Sequence, residues 1–494
     1  MLLAILCVPL GVAIVAALLP SRLVAPLSVL GSLVTLGLSI ALVAGFDSGV
    51  PGLQNVVDET WIPGLGVRFQ LGVDGISLFL IVMTALLWAA SSAWSAWRMP
   101  DHPKNYFLML GIGEFSILGA FLAQDLLLFV LFFDLMLVPF FFLIGGYGTG
   151  DRVRATIKMM VYTLVGSLLM LVAAIATAIL TSETTGELSF AMSDLRANVL
   201  PEASQDWIFC FFAAAFLVKM PAFPLHGWMP DAYRAAPLPV LALLSGVLPK
   251  VAAYGFLRVV FPIFPDATVQ FQELVLVLAL LSILYGSAMA FTQTNVRLIA
   301  GYSSIAQLGF ITLGVFSLAA DGANGAVLQM VNHGLVVAPV FLIVAVLAER
   351  YGTEDLREMG GAAMRAPVLA GLFLIVILAT LAMPGSSNFI GEFYILNGLF
   401  DEHATYAIIA MAGVAMAAFY ALRLYQKTMH NRLPEGVESR EMTLRDGSVL
   451  VPLVLVIIAA ALYPTLILQR SEAAIQDKVG AVSAGSADEV VSRP

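Results

Sequence analysis

Apolar runs of about 18 residues or more recur from one end of this chain to the other, and each is long enough to cross a bilayer core as a helix. No other feature restricts the fold so strongly. Inside lipid the backbone N–H and C=O groups find no water, so a spanning segment must be a helix or a strand of a closed barrel. Barrel strands alternate apolar and polar residues in segments of about 10, and that pattern is not seen. Composition agrees: of 494 residues, 60% are hydrophobic and 12% charged, with a mean hydropathy of +0.95, against roughly 25% charged in a soluble domain. The expected fold is an all-α, polytopic integral membrane protein.

Polar and Gly/Pro breaks divide the chain into about fourteen spans. Their centres lie near Ala13, Thr35, Leu86, Ser116, Leu135, Leu171, Phe216, Leu244, Leu281, Phe310, Val336, Val376, Ala415 and Ile458. The longest polar excursions run from Phe46 to Leu71, Thr181 to Asp206 and Asn431 to Gly447, with a hydrophilic tail after Arg470. None is large enough for a soluble catalytic domain. The apolar N-terminus lacks a basic leader and a small-residue cleavage site, and reads as a retained first helix. Cys7 and Cys210 stand in separate apolar runs, with no spacing that suggests a disulfide or a metal site.

Charge sets an expected orientation. With the N-terminus outside, the inner connections collect Arg22, Arg98, Lys104, Arg152, Arg154, Lys158, Arg234, Arg297, Arg350, Arg357, Arg365 and the cluster from Arg423 to Arg445. The outer ones are acidic, with Asp47, Asp58, Glu59, Glu183, Glu187, Asp194 and Glu202. This is the positive-inside bias, and an even number of spans then puts the C-terminus outside too. The net charge of −9 belongs to outer loops and tail. No basic patch with interleaved aromatics points to nucleic acid.

Few ionisable side chains remain deep in the spans: Glu114, Asp134, Lys219, Lys250 and Glu392, with His333 and His226 beside them. A charge at the bilayer centre costs about 2.5–3.5 kcal/mol on insertion scales, so each needs a partner or a water-lined cavity. Any one of them alone could be glue between helices; two lysines and two carboxylates together suggest a polar path. A lysine suits proton transfer because burial favours its neutral form and a nearby carboxylate its charged form. Lys219 precedes Pro221, Pro224 and Pro230 in "FLVKMPAFPLHGWMPDAY". Prolines remove backbone donors, and such a break at membrane depth is tolerated only where protein or a cavity satisfies the freed carbonyls.

A second interruption lies in "ATLAMPGSSNFIGEFYILNGLF", where Pro384, Gly385 and Asn388 break an apolar run ahead of Glu392. A loop between two short helices is the plainer reading. Broken segments in both halves of a chain, however, are the pointer to inverted-repeat transporters with ion sites at the breaks. Lys250 likewise follows a proline in "LSGVLPKVAAYGFLR", whose Arg258 is expected near the outer end, snorkelling. Glu114 either joins the polar path or bonds a neighbouring helix, and His226 either carries protons or orients the break. His102, His403 and His430 fall in connections and read as solvated. The methionines and phenylalanines read as packing or lipid-facing residues. "GGYGTG" lacks the lysine and strand–loop–helix context of a phosphate cradle.

At these residues the sequence resembles the antiporter-like subunits of respiratory complex I, the proton-pumping NADH:quinone oxidoreductase, which are related to Mrp-type cation/proton antiporter subunits. The resemblance spans nearly the whole chain and rests on "VKMPAFPLHGWMPDAYRAAP", "QLGVDGISLFL" around Asp74, "PKVAAYGFLR", "GYSSIAQLGF" from Gly301 and "NHGL" around His333. Within that family "MPGSSNFIGEF" is similar to the M-type subunits, with a glutamate where the L and N types carry a lysine. The resemblance implies two inverted five-helix repeats, each with a broken helix, over residues 105–262 and 263–430. Residues 1–104 would form the first three helices and residues 431–494 a last helix and polar tail. It implies Lys219 as the first broken-helix lysine paired with Asp134, Lys250 as a central relay, His333 farther along the axis and Glu392 as the terminal site. Asp134 stands where glutamate is usual, Gln307 where a histidine is common, and Tyr233 where a histidine often follows Pro-Asp-Ala.

The function so implied is proton translocation in a bacterial cytoplasmic membrane, driven by quinone reduction elsewhere. No cofactor or metal is expected on this chain; NADH, FMN, iron–sulfur clusters and quinone would sit on partner subunits, with L- and N-type subunits and lipid as neighbours. A Mrp-type Na⁺(K⁺)/H⁺ antiporter subunit and a membrane-bound hydrogenase subunit use the same fold and stay open. A purely structural scaffold would leave Lys219, Lys250 and Glu392 costly and unexplained.

Overall fold

The structure, a computed structural model, describes residues 1–50, 52–437 and 440–492, with side chains to residue 482. It opens with α1 (Leu2–Leu18) and α2 (Ser21–Ala44), which pack on each other and on α4 (Pro103–Leu122), with α3 (Gly75–Trp97) completing a four-helix group. Next come α5 (Leu126–Leu135), α6 (Leu137–Tyr147), α7 (Arg152–Thr185), the short α8 (Met192–Ala197) and α9 (Glu202–Lys219). After the first break follow α10 (Met229–Ala235) and a rod of α11 (Leu238–Gly246), α12 (Leu248–Gly255), a π turn (Phe256–Val260) and α13 (Phe261–Ile263). The short α14 (Pro265–Gln270), then α15 (Gln272–Thr292), α16 (Val296–Val315), α17 (Ala320–Tyr351) and α18 (Pro367–Thr380) lead to the second break. Beyond it lie α19 (Ser387–Met429), α20 (Leu444–Leu462) and α21 (Thr465–Ser492).

All fourteen expected centres fall inside helices. Among the described residues eleven helical segments are long and apolar enough to cross a membrane, and α1 and α18 are shorter apolar helices. The most apolar windows of the α11–α13 rod, α16 and α17 are fully buried, against 28% in α2 and 33% in α20. The rod, α16 and α17 are therefore the centre of the molecule, and α2 and α20 turn most of their surface outward to the apolar solvent.

Four expectations are corrected. The excursion after Phe46 contains a hairpin, β1 (Gln54–Ile62) antiparallel to β2 (Val67–Val73), with Val57 opposite Leu71 and Glu59 opposite Phe69. Its turn needs Gly66 at φ +65, where a Cβ would strike the carbonyl of Leu188. The hydrophilic tail is instead a helix: α21 buries Ile467, Ser471, Ala474, Ile475, Lys478 and Val482, a three-to-four spacing, against α3, α13, α14 and α17. Arg196 grips Asp477 through two hydrogen bonds of 2.7 and 2.8 Å. Arg258 does not snorkel; it is buried and pairs with Asp74 at 2.9 Å while bonding Gln124. Asp74 also caps α3, accepting from the backbone N–H of Ile76 and Ser77. Finally, His403 sits at a kink inside α19, its ring Nε2 3.1 Å from the Gln272 amide nitrogen.

Candidate functional site

α9 ends at Lys219 because Pro221 and Pro224 cannot extend it. The Phe223–Pro224 peptide is cis. The break is re-satisfied by protein: Phe223 N–H donates to Ser282 Oγ (2.9 Å), Ala222 N–H to the Leu217 carbonyl (3.0 Å) and Trp228 Nε1 to the Val218 carbonyl (2.9 Å). Lys219, buried at the C-terminal, electronegative end of its helix, donates to the Phe133 carbonyl at 3.0 Å with Nζ 4.0 Å from the centre of the Phe133 ring. Asp134, half-buried on α5, makes no ion pair with it within 4.0 Å. The two interact electrostatically, Ser167 lies beside the carboxylate, and Asp134 Oδ1 has no hydrogen-bond partner. The short aspartate leaves the lysine to the neighbouring peptide carbonyl. His226, in the turn after the break, packs on Phe223 and Tyr285 with ring centroids 5.7 and 4.8 Å apart.

At the centre of the rod, Pro249 removes the N–H that would bond the carbonyl of Ser245 four residues earlier. Lys250, the next residue, takes that carbonyl at 2.8 Å. Its Nζ also lies 2.9 Å from His333 Nδ1 on α17, and both side chains are buried. His333, expected farther along, is thus in direct contact with the central lysine. One proton between an amine and an imidazole at this distance can reside on either.

The second break runs from Leu381 to Ser386, with Pro384 and Gly385 at φ +94. Asn332 closes it from α17 by donating to the Ser387 carbonyl (2.7 Å). In the second turn of α19, Glu392 Oε1 accepts from Gln307 Nε2 on α16 (2.8 Å), and Gln307 Oε1 accepts from Gln329 Nε2 on α17 (2.7 Å). Gln307, the residue that departs from histidine, therefore hands hydrogen bonds between two helices and the carboxylate. A small cavity of about 20 Å³, room for about one water, is lined by His333, Gln307, Asn388 and Tyr420. Asn388 and the Tyr420 hydroxyl are buried there without a hydrogen-bond partner, the chemistry of a place that holds water.

Glu114 stands apart, in the α1–α4 group, where Ser32 donates to its Oε2 at 3.0 Å. That hydrogen bond joins α4 to α2. Sequence reasoning missed Gln329, Ser245 and the Asp74–Arg258–Gln124 cluster. Scanning the spans for buried amides as well as for charges would have found the glutamines, and the i−4 rule for Pro249 would have found the Ser245 carbonyl.

An all-helical membrane chain with two broken helices, and with Lys219, Lys250 and Glu392 buried in or beside its spans, has the character of an antiporter-like membrane protein. The chain belongs to the NADH:quinone oxidoreductase/Mrp antiporter family, whose transmembrane region matches residues 123–419. It is 36% identical over 446 residues to the NADH-quinone oxidoreductase subunit M of Rhodobacter capsulatus, covering 88% of this chain and 86% of that one. It superposes on a chain of respiratory complex I from Thermus thermophilus with a TM-score of 0.89 and 31% identity, covering 98% of this chain and all of that one. The fold is also that of a chain of the Mrp complex from Dietzia sp. DQ12-45-1b, at a TM-score of 0.83 and 21% identity over 97% of this chain and 98% of that one.

Proposed function

We propose that this chain is the M-type, proton-translocating membrane subunit of an NADH:quinone oxidoreductase and that protons move through it along Asp134, Lys219, Lys250, His333, Gln307 and Glu392. The observation that carries the reading is the buried 2.9 Å contact of Lys250 with His333, two titratable groups sharing one position where a proton can pass. The relatives named as subunit M and the complex I chain support the complex. Redox chemistry belongs to partner subunits, which carry NADH, FMN, iron–sulfur clusters and quinone. L- and N-type subunits are the neighbours in the membrane. Both termini lie outside, and the two repeats occupy residues 105–262 and 263–430. No direct contact joins Lys219 to Lys250, so water is the carrier the reading requires between them. Coupling needs an element with two arrangements that the energy source biases. Lys219, held by the Phe133 carbonyl and within electrostatic reach of Asp134, has two such partners.

The test is the purified complex in sealed vesicles, following NADH oxidation and internal pH with and without Na⁺. NADH-driven proton movement without Na⁺, lost in Lys219→Ala while assembly persists, is the expected result. If no NADH oxidation co-purifies and an imposed Na⁺ gradient moves protons, the chain is an antiporter subunit.

A further inference from the structure

At the arginine-rich end of the seam between α3, α17 and α20 lies an open pocket of about 470 Å³. Its acids are already engaged. Glu349 and Asp446 both accept from Arg98, at 2.6–2.9 Å, and Arg98 rests over the Trp94 ring. Asp446 also closes the capping box of α20 with Thr443. Glu441 accepts from the first N–H groups of α18, Val368 and Leu369, at 2.9 and 3.1 Å. Three guanidiniums face the same space, Arg350, Arg440 and Arg445, and among the described residues none makes a hydrogen bond or ion pair. Glu441 and Asp446 temper the charge of Arg350 from a distance without bonding it. Arg350 is half-buried at the end of α17, and its Nη1 is shielded from solvent without any acceptor.

Arginine does not give up its proton, and a shielded N–H without an acceptor forfeits its hydration with nothing in exchange. The geometry points to a phosphate-binding site in this pocket, with Arg350 as the inner ligand and Arg440 and Arg445 at its mouth. Guanidinium forks match phosphate oxygens in pairs. The pocket opens beside Trp97, at the level where span ends and aromatic residues meet lipid headgroups. Basic pockets between spans at the arginine-rich side take anionic headgroups; a free phosphate offers the same oxygens. The site lies away from the buried Lys250–His333 pair and assists no proton step.

The experiment uses the intact purified complex, as wild type, Arg350→Gln, Arg445→Gln and the double variant. Native mass spectrometry after detergent exchange counts retained phosphatidylglycerol, and a parallel arm titrates lipid-free complex with inorganic phosphate followed by ³¹P NMR. The expected result is one anionic phospholipid held per wild-type chain, with retention falling roughly ten-fold or more in the double variant, the factor one charge-assisted hydrogen bond supplies. Arg445 is exposed and outside the packed core, so its variant still reports if Arg350→Gln fails to assemble. Phosphate binding in the lipid-free arm, sensitive to the same substitutions, with no retained lipid, upholds the site and assigns it a soluble anion. Equal lipid retention and equal phosphate signals in wild type and double variant overturn it, as does a carboxylate of a neighbouring subunit filling the pocket in the assembled complex.

Discussion

Replacing His333 by leucine tests the central contact. Lys250 Nζ now has two acceptors, the Ser245 carbonyl at 2.8 Å and His333 Nδ1 at 2.9 Å. Leucine removes the second, fills a similar volume and leaves the first in place, so the lysine stays anchored and the helices stay packed. A hydrogen bond to a charged group contributes about 1.5–3 kcal/mol. If the proton crosses this contact in the slow step, losing it slows passage about 10- to 150-fold at 1.36 kcal/mol per decade. The assay is vesicle-reconstituted complex, with proton uptake and NADH oxidation recorded together. His333→Gln is the control: its amide oxygen accepts the same hydrogen bond but does not titrate between pH 5 and 8. Leucine is expected to lower proton flux by at least about ten-fold, and glutamine to preserve assembly without restoring flux. Wild-type flux in either variant refutes the reasoning, because a relay that works without its titratable partner is not a relay.

Asp74→Ala strips the buried Arg258 of its carboxylate, about 3–5 kcal/mol, and removes the cap of α3, about 1 kcal/mol. Asp74→Asn keeps the cap, so thermal unfolding in detergent should rank wild type above Asn above Ala, and equal midpoints would contradict the cluster. Gly391→Ala places a Cβ against the Gln329 side chain, an overpacking of about 1–3 kcal/mol that breaks the Gln329–Gln307 bond. Native gels should show the complex intact while vesicle proton flux drops. The Arg196 hydrogen bonds hold the Asp477 carboxyl down at about 2, below its usual 3.8. A depressed carboxyl stabilises above its unfolded pKa and loses that contribution as pH falls through the folded one. Hydrogen exchange in α21 should therefore be flat from pH 7 to 5 after correction for intrinsic rates and rise below about 3; in Arg196→Gln that acid step should vanish.

The membrane fold was legible because its signal is local: a run of apolar residues long enough to span needs no partner to be recognised. Lys219 and Glu392 were legible for the same reason, as charges beside prolines. What escaped was set by distance in the chain. Asp74 and Arg258 are 184 residues apart, and nothing in either neighbourhood announces the other; Arg258 alone looked like a snorkelling end residue. His333 and Lys250 are 83 apart, and the spacing of spans could not say that their helices face each other. The hairpin was hidden because β1 is almost wholly exposed and shows no apolar alternation, while β2, "VRFQLGV", runs directly into the apolar span that follows. In α21 the charges Glu472, Asp477 and Lys478 dominated the composition and masked a regular apolar stripe.

The strap formed by α21 also orders events in biosynthesis. Its contacts reach back to Arg196, 281 residues earlier, and to Asn324, 147 residues earlier, and its second turn seats the Arg470 carbonyl against Gly75. Those helices must wait in the bilayer, inserted but not fastened, while the intervening chain is still being translated, because non-local contacts form only after both partners exist. Until then the ends of α3, α13 and α17 stand uncovered.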